Sequence, residues 1–83
     1  MNVLFTAKEL GVSFRKNREA LGLTLSDIAD RTGYRRQTIG DLEAGGNVGL
    51  HVVMAALSAL GKGLQVVDAR VDYDAIVLDS AAN

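Results

Sequence analysis

Three consecutive long polar side chains, Arg35, Arg36 and Gln37, carry the most suggestive chemistry in this 83-residue sequence. An arginine guanidinium is a planar fork of donors that matches the edge of guanine, and a glutamine amide matches the edge of adenine. On an ordinary helix such a run is only a solvated face, so its meaning depends on the elements around it. Other residue types exclude more than they suggest. Ser13, Ser26, Ser58 and Ser80 have no local His or Lys arrangement to activate a nucleophile. His51 is the only histidine, so it has no second histidine for a metal site or a proton relay. Asp72, Asp74 and Asp79 match no calcium loop and read as a solvated acidic tail. With no cysteine there is no disulfide, thiolate zinc site or cysteine nucleophile, which fits a reducing compartment. The expectation is therefore no catalytic residue, no metal, no cofactor and no enzymatic activity.

The elements that must position the polar run are helices. Thr6 and Glu9 form a capping box ahead of an apolar stripe of Ala7, Leu10, Phe14 and Leu21, with Phe5 and Leu10 placed to staple across the start. Gly22 ends this helix. Thr24 and Asp27 repeat the capping signature, with Leu23 and Ile28 as the staple, and Gly33 stops the second helix. Ile39 and Leu42 share one face of a third helix, and Tyr34, Ile39 and Leu42 are expected to face the core. Gly45-Gly46-Asn47 is a loop signal. A fourth helix runs from Leu50 to Leu60, with Leu50, Val53, Met54, Leu57 and Leu60 as its buried stripe and Gly61 closing it.

Two short helices joined by a glycine-containing turn, the second rich in long polar side chains, describe a helix-turn-helix. Ala29 is small enough for the two helices to cross closely, and Gly33 follows four residues later, where the turn needs a left-handed backbone. In this setting the Arg35-Arg36-Gln37 run reads as base-contacting rather than merely solvated. Arg15, Lys16 and Arg31 are equally suited to phosphate contact and to a solvated surface.

Beyond the helices, Leu64-Gln65-Val66-Val67-Asp68 is valine-rich and reads as one strand. A lone strand has no partner in a helical chain, yet its amides and carbonyls must pair or leave an open edge. The symmetric solution is the same strand of a second copy, antiparallel across a two-fold axis, with Leu64 and Val66 facing the fourth helices. Residues 71–83 mix Val71, Tyr73, Ile76, Val77 and Leu78 with aspartates and read as a tail suited to docking. Residues 1–62 carry eight Lys/Arg against six Asp/Glu, and residues 63–83 one Arg against four Asp. A mildly basic body with an acidic tail is compatible with nucleic-acid binding, although a pI near 5.6 argues against strong non-specific binding. No apolar run approaches the 18 or so residues a membrane span needs, and the N-terminal residues show no secretion signal, so a cytoplasmic location is expected.

The stretch GLTLSDIADRTGYRRQTIGDLEAG resembles the lambda-repressor-like helix-turn-helix of Xre-type regulators, over roughly residues 6–62. Its continuation ALSALGKGLQVVDAR, a last helix running into one strand, looks like the HipB-type antitoxins: small dimeric DNA-binding proteins that repress their own operon and bind a HipA-type kinase toxin. The resemblance implies a recognition helix over Arg35 to Glu43, base reading by Arg35, Arg36, Gln37 and Gly40, and DNA-backbone contacts from Thr24, Leu25, Thr38 and His51. For His51 an inert surface position is the other reading. Arg18 and Glu43 match a buried pair that ties the first helix to the end of the recognition helix. Leu25 replaces a phosphate-clamping glutamine, which leaves the backbone amides of that helix start for the role. Asp41 stands at a position usually polar or basic and would repel phosphate. Arg35 and Gly49 stand where capping Ser or Thr is common.

The expected fold is mainly α: a lambda-repressor-like helix-turn-helix bundle of four to five helices with one C-terminal β-strand pairing across a dimer. Its expected divisions are a DNA-binding domain over residues 1–62, a dimerisation strand over 63–70 carrying Leu64 and Val66, and an acidic tail over 71–83. The function implied is a homodimeric repressor of palindromic operator DNA that serves as antitoxin to a HipA-like kinase toxin. The alternatives are a plain, phage-like Xre regulator without a toxin, and a protein-interaction module that has lost DNA binding.

Overall fold

A computed structural model describes residues 3–69, which contain four helices: α1 (Ala7–Ala20), α2 (Leu25–Thr32), α3 (Arg36–Glu43) and α4 (Leu50–Ala59). The first two begin where their side chains can satisfy their own first-turn amides. At α1 the Glu9 amide donates to Thr6 Oγ1 at 3.0 Å, and the Thr6 amide donates back to Glu9 Oε1 at 2.9 Å. At α2 the Asp27 amide donates to Thr24 Oγ1 at 3.0 Å, and the Thr24 amide donates to Asp27 Oδ2 at 2.8 Å. That hydrogen bond, and then the Thr24 side chain, hold the Asp27 carboxyl below the usual aspartate range. The box therefore contributes fully above that range and is lost as pH falls through the lowered value. α3 and α4 begin on Arg35 and Gly49, which supply no side-chain cap.

α3 is the hub, packing against α1, α2 and α4. Its Ile39 and Leu42 meet Phe14 of α1, Ile28 of α2 and Val52, Val53, Ala56 and Leu57 of α4, together with Leu60, in one buried cluster. Phe14, Ile28 and Ile39 are its largest fully buried side chains. Tyr34, Leu10, Leu23 and Leu25 pack half-buried around it. The approach of α1 to α3 is closer than most side chains permit. A Cβ on Gly11 would lie 2.4 Å from the Glu43 carbonyl oxygen and 2.5 Å from that of Leu42.

Several expected apolar contacts are not made within this chain. Ala7 and Leu21 are exposed: α1 meets α3 along Gly11, Phe14 and Arg18, while Ala7 shares that line but lies a turn before it at the first helical position, and Leu21 follows the last helical residue. Phe5 is also exposed, and its amide donates to Glu9 Oε1 at 2.8 Å. On α4, Leu50 and Met54 are 68% and 46% exposed, whereas Val52 and Ala56 are buried. The apolar sector of α4 is wider than the other three helices can cover, so the edge bearing Leu50 and Met54 is left outside the core. Residues 61–69 form no strand in the single chain, and Val66 is fully exposed. A ladder there needs a second edge, which the described residues do not supply. The expected tail over 71–83 lies outside the described residues.

Gly11 generates the first prediction. Gly11→Ala would force the new methyl group into two backbone carbonyls, which cannot rotate aside. Chemical denaturation of the variant should show a loss of about 1–3 kcal/mol. An unchanged midpoint would mean that α1 and α3 separate freely.

Candidate nucleic-acid interface

The turn between α2 and α3 is held by a short hydrogen-bonded chain. Gly33 adopts φ +81°, a left-handed conformation that glycine enters without steric penalty, and its amide donates to the Ala29 carbonyl at 2.8 Å. The Thr32 hydroxyl donates to the Ile28 carbonyl at 2.8 Å and accepts the Tyr34 amide at 3.2 Å. These contacts close the end of α2 and aim the chain into α3. Thr32 has no mark in the sequence that distinguishes it from a surface threonine, and its role emerges only from this geometry.

α3 buries Ile39 and Leu42 and turns the rest of its surface outward. Arg35, Arg36, Gln37 and Asp41 are exposed, and Thr38 and Gly40 are half-buried. At about 100° per residue, Gln37 lies opposite the buried stripe, with Gly40 and Asp41 about 50° to either side of it and Arg36 toward one flank. No intramolecular hydrogen bond or ion pair holds the side chains of Arg35, Arg36 or Gln37 among the described residues, so the fork and the amide are free for an external edge. Neither α3 nor α4 has an acid in its first turn, and neither has a side-chain cap. Their leading amides thus carry uncancelled partial positive charge, unlike those of α1 and α2, which Glu9 and Asp27 close. His51 is exposed in the first turn of α4.

Thr24 and Leu25 sit differently from a simple phosphate clamp. The Thr24 amide and hydroxyl both serve the capping box. Leu25 is half-buried against the core and faces Gly40: a Cβ at Gly40 would stand 4.0 Å from Leu25 Cδ1 and meet nothing nearer. The leucine thus lies along the junction of α2 with α3. Two of the other cations are already engaged. Arg31 Nη1 donates to the Ala59 carbonyl at 3.0 Å and pins α2 to the end of α4. Arg15 pairs with Glu19 one turn away at 3.2 Å, in an exposed geometry that contributes little.

The orientation of α3 is secured from inside. Arg18 Nε donates to Glu43 Oε2 at 2.5 Å and Nη2 to Oε1 at 3.1 Å, with both side chains about nine-tenths buried. Arg18 Nη1 also donates to the Leu23 carbonyl at 2.7 Å. One guanidinium therefore joins α1, the α1–α2 loop and the last turn of α3. The hydrogen bond to Glu43 raises the Arg18 pKa above the ordinary arginine value, against an opposing effect of burial. The arginine remains charged at every pH the fold survives. The Leu23 carbonyl is an acceptor that side-chain reasoning alone could not have named.

The family model described as helix-turn-helix matches residues 14–67. The chain belongs to the helix-turn-helix family. This helix-turn-helix chain is a DNA-binding regulator of the Xre type. Its fold is that of HipB. A HipB–O4 20-mer complex superposes with a TM-score of 0.78 at 23% identity, over 83% of this chain and 99% of that one. A HipA–HipB–O2–O3 complex superposes equally well at 21% identity, over the same shares of the two chains. A solved structure called MDT protein gives a TM-score of 0.78 at 23% identity, again over 83% and 99%. No curated protein matches the chain. Among the described residues, no helix is long and apolar enough to cross a membrane.

Breaking the buried fork should be costly. Glu43→Ala leaves the Arg18 guanidinium buried without its carboxylate, and denaturation should show a loss of about 3–5 kcal/mol. Arg18→Met combined with Glu43→Leu should recover much of that loss, because no charge is then stranded. A single variant as stable as the parent would show that the pair does not hold α3.

Proposed function

We propose that the protein is a sequence-specific, homodimeric transcriptional repressor that acts as the antitoxin of a type II toxin–antitoxin system and autoregulates its operon. The observation that carries the DNA-binding part is the outward face of α3, on which Arg36 and Gln37 are free of internal partners while their helix is anchored by the Arg18–Glu43 fork. In this reading α3 enters the major groove. Arg35, Arg36 and Gln37 meet base edges, with Gly40 allowing close approach. The Leu25 amide at the start of α2, together with Thr38 and His51, approaches the phosphate backbone, and Thr24 contributes by holding that helix start in its capping box. The α3 and α4 starts suit this arrangement, since both lack an acidic residue that would repel phosphate.

A homodimer is the natural support for a palindromic operator, whose half-sites would be about 34 Å apart. Leu50, Met54, Leu64 and Val66 are apolar and left uncovered by one chain. A second copy pairing over residues 64–68 would cover Val66 and supply the missing strand edge. The likeness to a HipA–HipB–operator assembly supports a HipA-like kinase toxin as the further partner. The dimer surface and the 71–83 tail would offer it contacts. A plain Xre regulator would share every feature of α3 and lack the toxin. Co-purification of a kinase-like protein from the native cell separates the two.

Two variants test the reading. Arg36→Ala should weaken binding to the preferred operator by about 1–3 kcal/mol and relax discrimination at one base pair, measured by titration on specific and random duplexes. Equal losses on both would reassign Arg36 to a phosphate. Val66→Pro removes an amide from the ladder and should yield a monomer or an unfolded chain in sedimentation, with operator affinity falling alongside. A stable Val66→Pro dimer would place the interface elsewhere, on packed helices.

A further inference from the structure

Asp41 is the anomaly of the α3 surface. It lies one turn beyond Gln37 on the outward face, about 50° around the helix from the line opposite the Ile39/Leu42 stripe. It is exposed, and among the described residues its carboxylate has neither a hydrogen bond nor an ion pair. The fold gains nothing from it. A negative charge near the C-terminal end of a helix opposes the helix dipole, and none of the basic side chains offsets it. Gly40, its neighbour, is likewise not required by the interior, since an alanine there would meet only Leu25 Cδ1 at 4.0 Å. The outward face thus carries one residue without a side chain and, beside it, one unpaired carboxylate.

We infer that Asp41 is a specificity-determining residue that reads the amino group of a cytosine on the floor of the major groove, one helical turn along α3 from the base met by Gln37. This rests on the proposed role of α3 in DNA binding. Side chains on the far flanks of a groove-bound helix meet phosphates, whereas those on its outward face, on the centre line or beside it, meet base edges. A carboxylate can only accept, so it must find a donor or lose its hydration without return. The floor of the major groove offers two amino donors, cytosine N4 and adenine N6. Each amino group borders one acceptor of its paired base, but adenine N6 is also flanked by its own N7, which repels a carboxylate, where cytosine presents a C5–H. Guanine and thymine present acceptors and exclude the carboxylate outright. The same charge lowers affinity for every non-cognate duplex, so Asp41 sharpens selectivity from both sides. Gly40 keeps the groove floor close enough for the short aspartate side chain to reach it.

The test uses the full chain. The preferred duplex is first selected from a randomised pool. Binding of the parent, Asp41→Ala and Asp41→Asn is then measured on that duplex, on its single-base variants and on random DNA. Thermal melts of all three proteins check that the exposed substitutions leave the fold intact. The parent should prefer cytosine at one position of each half-site. Asp41→Ala should lose roughly 5- to 140-fold on the preferred duplex while binding random DNA as well as or better than the parent. Asp41→Asn should move the preference at that one position toward adenine, which its amide matches. If Asp41→Ala instead binds every duplex more tightly with all preferences unchanged, Asp41 merely repels phosphate and the inference is overturned. A parent that selects no sequence at all would overturn the regulator reading as well. A parent with a selected site that is indifferent to Asp41 would overturn this inference alone.

Discussion

The arrangement depends on a buried charge pair that does not face the proposed ligand at all. The Arg18 guanidinium takes both oxygens of Glu43 and a backbone carbonyl at Leu23. Such a pair adds little net stability compared with an apolar replacement, because both ions leave water to form it. What it gives is a single allowed geometry, since a fork on α1 satisfied by three acceptors on two other segments fits in only one register. Gly11 works with it. The absence of a side chain there brings α1 against the Leu42 and Glu43 carbonyls, so that Arg18, two turns along, reaches its carboxylate. The last turn of α3 is thereby fixed to α1, and its first turn is fixed by the Gly33 bend. A helix of eight residues, marginal by itself, is held at both ends.

This division explains why the outward face of α3 can be unfavourable to its own helix. It carries a glycine, an unpaired aspartate and an uncapped start on Arg35. Each lowers the intrinsic preference for helix, and the packing of Ile39 and Leu42 with the Arg18–Glu43 fork overrides all three. α1 and α2 show the opposite pattern, with capping boxes at their starts and no exposed run of free base-matching side chains. Local rules are satisfied where the chain builds its scaffold and set aside where it presents chemistry.

The same logic applies to the uncovered apolar surface. Leu50, Met54 and Val66 are not a failure of the core, which is filled by nine buried side chains from four helices and the α4 cap residue. They are apolar surface left over beyond that core. In an 83-residue chain, which buries a modest fraction of its surface, a second copy is an economical way to cover it.

Much of this was legible in the residues. The Thr6–Glu9 and Thr24–Asp27 boxes, the left-handed Gly33, the missing caps at Arg35 and Gly49 and the pairing of Ile39 with Leu42 are all local patterns, and local patterns follow from spacing along one element. The polar run Arg35-Arg36-Gln37 was likewise readable, because position after a helix–turn signal is a property of the sequence. What the sequence could not decide was which part of a broad apolar sector meets the core. Leu50, Val53, Met54, Leu57 and Leu60 share helical spacing, yet rotation of α4 against α2 and α3 buries Val52 and Ala56 and leaves Leu50 and Met54 outside. Nor could it show that Gly11 faces a backbone or that Arg18 takes the Leu23 carbonyl. Those depend on how helices distant in sequence cross. Side-chain periodicity specifies a face, but only the neighbour that packs on it specifies where that face begins and ends.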